Sequence, residues 1–369
     1  MAKKKSKTEA ALELASLAPK YKQLVFVPTG STLLNLGVSQ LPDGGWPIGT
    51  MAWIVGQSGS GKTMLGMLAM AEACQLDIFD NYRLIVDSPE NGGLMNTVKF
   101  FGQRFTDRVQ APTKSGEPSR TGEEFYANAG DAIKAGPCIY LLDSMDALTT
   151  NYDISKGIEQ NRLARGEIDK TAGDYGDGKA RMNSRRLRVL VGDCEKNGSL
   201  LIIISQTRDN IGDMFNPETV SGGRALEYYA GTQVWVRKGR ELKKTVASQD
   251  YEIGVHSHVR IAKNRVDGNR RKVSMPIYNT YGVDDTGSMV DWMVNRGFWY
   301  RANADGTRNA KKGACINTGE DFGLSCKREK LIHEIENQPG WLDDLKYIVA
   351  EHWREIESKL AQRRRPRYE

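Results

Sequence analysis

The motif GQSGSGKT occupies residues 56–63, between the apolar run MAWIV and the helix-like segment MLGMLAMAEA. In a G-x-x-x-x-G-K-T pattern, small residues let successive backbone N–H groups converge on phosphate oxygens at the N-terminus of a helix. A glycine-rich turn without a nucleotide is the alternative, but strand, complete motif and helix occur together here. The sequence therefore predicts a nucleotide site, with Lys62 on the outer phosphates and the Thr63 hydroxyl on Mg²⁺. The predicted nucleotide-binding residues of this motif are Gly56, Gln57, Ser58, Gly59, Ser60, Gly61, Lys62 and Thr63.

Three further apolar runs end in polar residues: YRLIVDS at 82–88, PCIYLLDS at 137–144 and SLLIIISQ at 199–206. Continuous apolar runs of this kind are typical of parallel strands that are buried on both faces. We therefore predict an α/β fold, a mainly parallel twisted sheet flanked by helices, with its site at the carboxyl ends of the strands. Strand-like segments after about residue 232 predict that the sheet continues and becomes antiparallel at its edge.

The chain of 369 residues is long enough for one large domain with smaller appendages. It contains no apolar run that approaches the roughly 20 residues needed to cross a bilayer, so we expect no membrane partner. Five cysteines, an odd number without C-x-x-C spacing, predict neither a disulfide framework nor a zinc site. These features together favour the cytoplasm as the location.

The segment KARMNSRRLRVLVGDCEK predicts a helix with two unlike faces. Apolar residues recur at i, i+3, i+4 and i+7, which indicates a face that packs on the core, whereas arginines share another face. By itself a basic face is most often a solvated surface, so its function stays open at this point. The apolar positions are Leu187, Leu190, Val191 and Cys194, and the basic positions are Arg181, Arg185 and Arg188.

Polar residues at the ends of the predicted strands are candidates for catalysis. Asp143, followed by Ser144, ends an apolar strand, where a nucleotide hydrolase places the carboxylate that orients Mg²⁺; a helix cap is the alternative. Glu90 follows another strand closely enough to activate a water molecule as a general base, and Asp87 is its competitor. Gln206 closes a third strand with groups that could sense a terminal phosphate.

Several blocks of the sequence occur in the order in which they occur in bacterial RecA and its phage relatives: PTGS, GQSGSGKT, LIVDSPE, IYLLDSMDALT, LLIIISQTR, IGDMFNPETVSGGRALEYYA and IAKNR. The chain thus resembles the RecA family of DNA strand-exchange recombinases over about residues 27–285. The resemblance implies an ATP- and Mg²⁺-dependent, DNA-dependent ATPase. It also implies helical filaments on single-stranded DNA that pair with homologous double-stranded DNA in recombination and repair. Divergent blocks favour a phage or mobile-element version.

The resemblance also implies a layout. Residues 1–30 would form an N-terminal helix, near residues 7–17, and a strand, together an arm that docks on a neighbouring subunit. Residues 31–285 would form the RecA-like ATPase core, with DNA-binding loops near 151–181 and 207–224. Residues 286–369 would form a small α+β C-terminal domain with a basic tail.

The two loops are assigned to single-stranded DNA by the resemblance. Arginines and backbone amides can hold phosphates without reading bases, and an apolar side chain can insert between stacked bases. Gln206 would join the ATP site to the start of the second loop. The predicted DNA-binding residues are Lys179, Arg181, Arg185, Arg188, Arg208, Ile211, Gly212, Met214, Phe215, Gly222, Gly223 and Arg224.

Lys263 and Arg265, in IAKNR, resemble the cations through which one RecA subunit reaches the ATP site of its neighbour. The alternative is an edge strand whose basic residues face water. The two positions are expected to share one strand face, which suits both interpretations. With Lys62, Glu90 and Gln206, they complete the set of residues predicted to be catalytic. The resemblance therefore implies an ATP site between subunits of a homo-oligomeric filament.

The chain departs from the family pattern at several positions. Glu90 lies three residues after Asp87, one more than is usual in the family, so its role depends on an insertion. Lys238 and Arg260 fit basic positions of a second DNA site, but His258 stands where an arginine is expected. Two other functions stay open: a ring-forming motor or helicase-type ATPase, and a passive ATP-binding coat on single-stranded DNA. Loader or mediator proteins and single-strand-binding proteins are further candidate partners.

Overall fold

The structure is a computed structural model that describes residues 24–90, 95–156, 165, 178–209, 218–220, 224–311, 313–362 and 364. The predicted helix at 7–17 lies outside these residues. The strands are β1 (Phe26–Pro28), β2 (Gly45–Pro47), β3 (Met51–Gly56), β4 (Arg83–Asp87), β5 (Val109–Gln110), β6 (Cys138–Leu142), β7 (Leu200–Asp209), β8 (Glu218–Val220), β9 (Thr232–Val246), β10 (Gln249–Asn264), β11 (Lys272–Tyr278), β12 (Gly282–Val283), β13 (Tyr300–Ala302), β14 (Cys315–Asn317) and β15 (Ser325–Cys326). The helices are α1 (Thr32–Ser39), α2 (Lys62–Ala73), α3 (Thr97–Arg108), α4 (Gly122–Lys134), α5 (Gly178–Asn197), α6 (Arg224–Tyr229), α7 (Asp285–Asn295), α8 (Arg328–Asn337) and α9 (Trp341–Leu360).

The large sheet has the strand order β12-β11-β10-β9-β3-β7-β6-β4-β5, and β8 pairs with β7. Strands β9, β3, β7, β6, β4 and β5 run parallel, whereas β10, β11 and β12 continue the sheet in antiparallel fashion. Both the parallel core and the antiparallel edge predicted from the sequence are therefore confirmed. Gly56 at the end of β3 pairs with Gln206 on one side and with Val236 on the other, so three strands reach the same edge together.

The sheet is buried on both faces because its central strands carry apolar residues at successive positions. Every residue of β3 and β6 is buried. One hydrophobic cluster packs α1, α2 and α7 on one face, and a second cluster packs α4 and α5 on the other. This arrangement leaves the carboxyl edge of the strands as the place where polar groups can assemble.

The short strand β1 pairs antiparallel with β2 of the same chain, Val27 lying opposite Trp46. The side chains of both residues are fully buried in the core. This strand was expected to belong to an arm that docks on a neighbouring subunit. In the single chain, β1 packs on its own core, because Val27 and Trp46 bury their apolar surface in the same hydrophobic cluster.

The C-terminal part contains the small sheet β13-β14-β15 and the helices α7, α8 and α9. It is joined to the core by apolar packing, since Met289, Trp299 and Trp353 belong to the same hydrophobic cluster as the residues of α1 and α2. Asp285, at the start of α7, also accepts hydrogen bonds from the backbone N–H and the hydroxyl of Thr32, each at 2.7 Å. Of the helices that the structure describes, none combines the length and the apolar character that a membrane span requires.

Candidate nucleotide site and nucleic-acid interface

The phosphate loop connects β3 to α2 at the carboxyl edge of the sheet. Gly59 and Gly61 have φ values of 69° and 91°, a left-handed conformation that favours glycine. At Gly56 a Cβ atom would collide with the carbonyl oxygen of Val236 on β9. Helix α2 then begins at Lys62 with no side-chain cap and no acidic residue in its first turn. Its first N–H groups are thus available to an anion.

The base of the loop is fixed to the β9–β10 hairpin. The Ser257 hydroxyl, on β10, donates a buried hydrogen bond of 2.8 Å to the carbonyl oxygen of Ser60. Residues 57–59 are the exposed tip of the loop, whereas Ser60 is buried. The hairpin is therefore attached directly to the phosphate loop at Ser60.

Lys62 is 7% exposed, and its ammonium group donates a hydrogen bond of 2.6 Å to the carbonyl oxygen of Gln57 across the loop. Burial lowers the pKa of Lys62, and the neighbouring carboxylates of Asp143, Glu90 and Asp146 oppose this shift. The cation is thus held over the concave side of the loop, among carboxylates that would otherwise repel a phosphate.

Thr63 and Asp143 meet as the sequence predicts. The Thr63 hydroxyl donates to the carboxylate oxygens of Asp143 at 3.0 and 3.2 Å. Burial raises the pKa of Asp143, and the hydrogen bond from Thr63 lowers it. A hydroxyl beside a carboxylate, next to a phosphate-binding loop, is an oxygen donor set that suits Mg²⁺.

Two buried hydroxyls at the same edge have no hydrogen-bond partner within the described residues: those of Ser60 and Ser144. Ser144 directly follows Asp143 and has a φ of 88°, a strained backbone conformation for a residue other than glycine. Unpaired buried polar atoms are rare in proteins. Together with the phosphate loop and the Thr63–Asp143 pair, they fit a site for a nucleotide and its metal ion.

The two candidate general bases have different surroundings. Asp87 is fully buried and accepts hydrogen bonds from the backbone N–H and hydroxyl of Ser119, at 2.8 and 2.6 Å, and from the Tyr140 hydroxyl at 2.7 Å. Glu90 is exposed and accepts from the side-chain amide of Gln206 at 3.0 and 3.1 Å. The geometry therefore favours Glu90 as the base, and it gives Asp87 a structural role.

The structural role of Asp87 predicts the effect of Tyr140→Phe. This change removes one donor to a buried carboxylate, so we expect the free energy of unfolding to fall by about 1–3 kcal/mol, with nucleotide affinity unchanged. Urea unfolding measures the first quantity, and fluorescence titration measures the second. Tyr281→Phe, at an exposed position, is the control, and we expect it to change the free energy of unfolding by no more than about 0.5 kcal/mol. A loss of nucleotide affinity without a loss of stability would instead place Asp87 in the nucleotide site.

Gln206 is held from two sides. Its backbone N–H donates to the Asp146 carboxylate at 2.7 Å, and its side chain donates to Glu90. Asp146 was not among the predicted site residues. The sequence feature that could have revealed Asp146 is its position three residues after Asp143, in the segment that follows β6. The strand that leads into the second predicted loop is therefore tied to the edge of the nucleotide site.

Helix α5 has the two faces that its sequence predicts. Leu187, Leu190 and Cys194 are buried and Val191 is half-buried, whereas the three predicted arginines are exposed. The Lys179 ammonium donates to the carbonyl oxygen of Leu148 at 2.8 Å. Arg224 is exposed at the start of α6. Outside the described residues lie Ile211, Gly212, Met214, Phe215, Gly222, Gly223 and the side chain of Arg208.

Lys263 and Arg265 contact the last turn of α6 in their own chain. Lys263 donates to the carbonyl oxygens of Glu227 and Tyr228 at 2.5 and 2.8 Å, and Arg265 donates to that of Tyr228 at 2.8 Å. Such contacts are favourable because carbonyl groups concentrate negative charge at a helix C-terminus. Arg265 directly follows β10, and both side chains donate to the carbonyl oxygen of Tyr228, so they lie on the same side of the chain. Burial and the adjacent Arg265 lower the pKa of Lys263.

A mainly parallel sheet, a strand–loop–helix phosphate motif and an acidic residue, Asp143, that follows β6 at the same edge define an α/β protein of the phosphate-loop class. The family model described as RecA N-terminal domain matches residues 139–284. Protein RecA of Streptococcus parasanguinis is 30% identical over 300 residues, which cover 77% of this chain and 71% of that protein. The chain belongs to the RecA family.

Two further RecA proteins are similar to most of the chain. Protein RecA of Streptococcus agalactiae serotype III is 29% identical over 343 residues, covering 86% of this chain and 83% of that protein. Protein RecA of Geobacter sulfurreducens is 29% identical over 320 residues, covering 85% and 84%. Among solved structures, the crystal structure of the RadB recombinase has a TM-score of 0.46 and 18% identity, covering 70% of this chain and 99% of that chain.

Proposed function

We propose that the protein is an ATP-dependent DNA recombinase that forms helical filaments on single-stranded DNA and catalyses homologous pairing and strand exchange. The observation that carries the proposal is the contact between Glu90 and Gln206. It joins the edge of the nucleotide site to β7. That strand continues to Asp209 and pairs with β8, so the base of the second loop is anchored next to Gln206.

The residues around the phosphate loop support a role in ATP hydrolysis. ATP with Mg²⁺ would supply a phosphoanhydride bond that water can cleave. Lys62 and the first N–H groups of α2 would bind the phosphates, and Thr63 and Asp143 would hold the metal ion. Glu90 would accept the proton of the attacking water, and its contact with Gln206 would make the second loop respond to the nucleotide.

The exposed arginines of α5 support DNA binding without base preference. Guanidinium groups bind phosphates in a geometry that is independent of sequence. Recognition of homology would then come from base pairing between the DNA strands. We propose that the protein acts in the cytoplasm on DNA, as a homo-oligomeric filament in which Lys263 and Arg265 reach a neighbouring ATP site.

A three-strand exchange reaction tests the proposal directly. Full-length protein, circular single-stranded DNA and a homologous linear duplex should give a joint molecule and a displaced strand only when ATP and Mg²⁺ are present. A heterologous duplex is the control. Electron micrographs that show closed rings would support a motor ATPase instead, and DNA binding without DNA-stimulated hydrolysis would support a passive coat.

The basic face of α5 predicts the effect of Arg181→Ala. We expect weaker binding of single-stranded DNA, because one phosphate contact is lost, and a plot of log K against log salt that is shallower by about 0.7. The matched control is Lys196→Ala, which removes an exposed cation from the last turn of the same helix. Equal salt slopes for the two variants would show that the arginine face is an ordinary solvated surface without a role in DNA binding.

A further inference from the structure

The β9–β10 hairpin extends beyond the sheet that supports it. Strand β3 pairs with β9 only as far as Val236, and β11 pairs with β10 only from Gly254 onward. Residues 243–252 therefore form a two-stranded ribbon, here called the free ribbon, whose outer edges pair with no other described strand. Four residues of β9 carry it about 13 Å past the last position that β11 supports.

The free ribbon leaves the sheet at the edge that carries the nucleotide site. Because Gly56 pairs with both Gln206 and Val236, the phosphate loop, the second loop and the hairpin emerge at one level. The hairpin and the start of the second loop are separated by two strand spacings, about 10 Å. A DNA molecule held at this edge would lie beside the hairpin.

The two faces of the hairpin end differ in charge. Lys244 lies opposite Tyr251 and Val246 lies opposite Gln249, so these four side chains share one face. This face has no acidic residue. The opposite face carries Glu241, Lys243, Thr245, Asp250 and Glu252.

The acid-free face is also exposed to solvent. Val246 and Tyr251 are 52% and 51% exposed. Lys244 forms no ion pair within the described part of the chain, whereas Lys243 pairs with Glu241 at 3.4 Å. The acid-free face thus offers a cation and apolar contact area to an anionic partner.

We propose that the acid-free face of the free ribbon docks in the major groove of duplex DNA, with Lys244 against a phosphate. The major groove is about 12 Å wide and admits a two-stranded β-ribbon. The tight turn at Ala247 and Ser248, with φ values of 50° and 64°, keeps the ribbon narrow to its end. This inference rests on the proposed function, and it adds a contact beyond Lys238 and Arg260 at the base of the hairpin.

The test compares two adjacent lysines of the full-length protein. Binding of a random-sequence DNA duplex is measured against salt concentration with ATP present. Lys244→Ala should make the plot of log K against log salt shallower by about 0.9, the value of one phosphate contact. Lys243→Ala is the matched control, since it removes the same charge from the opposite face, and its slope should equal that of the parent. Equal slopes for the two variants would overturn the proposal.

An RNA duplex of the same sequence separates groove docking from a general attraction to phosphates, because the major groove of A-form RNA is too deep and narrow for protein groups. Both lysine variants should bind this RNA alike. A loss with Lys244→Ala on RNA as large as on DNA would exclude the major groove. Hydrolysis by the parent protein on single-stranded DNA is measured in parallel. Absence of hydrolysis would refute the proposed function. Normal hydrolysis together with equal salt slopes for the two lysine variants would refute only the docking of the free ribbon on DNA.

Discussion

Lys62→Ala should abolish ATP binding and, with it, ATP-dependent binding of single-stranded DNA. The ammonium group is the cation that the structure places over the phosphate loop, among the carboxylates of Asp143, Glu90 and Asp146. Without it, a phosphate would meet uncompensated negative charge in a partly buried site. Nucleotide titration and DNA binding with and without ATP measure the two losses.

Unfolding of the variant would not account for that result. Burial lowers the pKa of Lys62, which shows that the fold disfavours the charged form, so a neutral side chain removes an electrostatic cost. Thermal unfolding should therefore show a folded variant. Lys99→Ala, at an exposed position on α3, is the control and should bind ATP like the parent. Unchanged ATP affinity in Lys62→Ala would contradict the nucleotide site itself.

The double variant Lys263→Ala, Arg265→Ala should retain ATP binding and lose DNA-stimulated hydrolysis. A cation supplied by a neighbour stabilises the transition state only after subunits assemble, and such groups contribute roughly 10³-fold or more in rate in other nucleotide hydrolases. In the single chain both side chains bond to carbonyl groups of α6. They would have to exchange these contacts for a neighbouring phosphate. Lys272→Ala, an exposed cation on β11, is the control.

Mixing variants tests whether the site is shared. Glu90→Gln lacks the proposed base, and the double variant lacks the two cations, so each alone should be inactive. Where they alternate in one filament, some interfaces regain both halves of a site, and hydrolysis should recover. If microscopy confirms mixed filaments and hydrolysis does not recover, Lys263 and Arg265 act only as caps of α6.

The parts of the fold that could be predicted are those with local signals. The strands around Ile85, Tyr140 and Ile203 are continuous apolar runs, and burial on both faces follows from that pattern alone. The phosphate loop is likewise recognisable because its glycines and Lys62 are adjacent in sequence. The amphipathic face of α5 follows from a spacing that one helix displays.

The remainder depends on contacts between distant residues. The structural role of Asp87 requires Ser119 and Tyr140, which come from other elements. The pairing of β1 depends on Trp46, which no pattern within residues 26–28 reveals. The place where β10 ends likewise depends on how Asn264 is held, since its side chain donates to the carbonyl oxygen of Val38.

The hydrogen bond from Ser257 to Ser60 gives the hairpin the geometry of a lever. Its fulcrum lies at the nucleotide loop, and the ten residues from Arg237 to Val246 form an arm about 33 Å long. A tilt of about 5° at the fulcrum would move the far end by about 3 Å, a distance comparable to one hydrogen bond. A small adjustment of Ser60 around a nucleotide would thus be magnified at the tip.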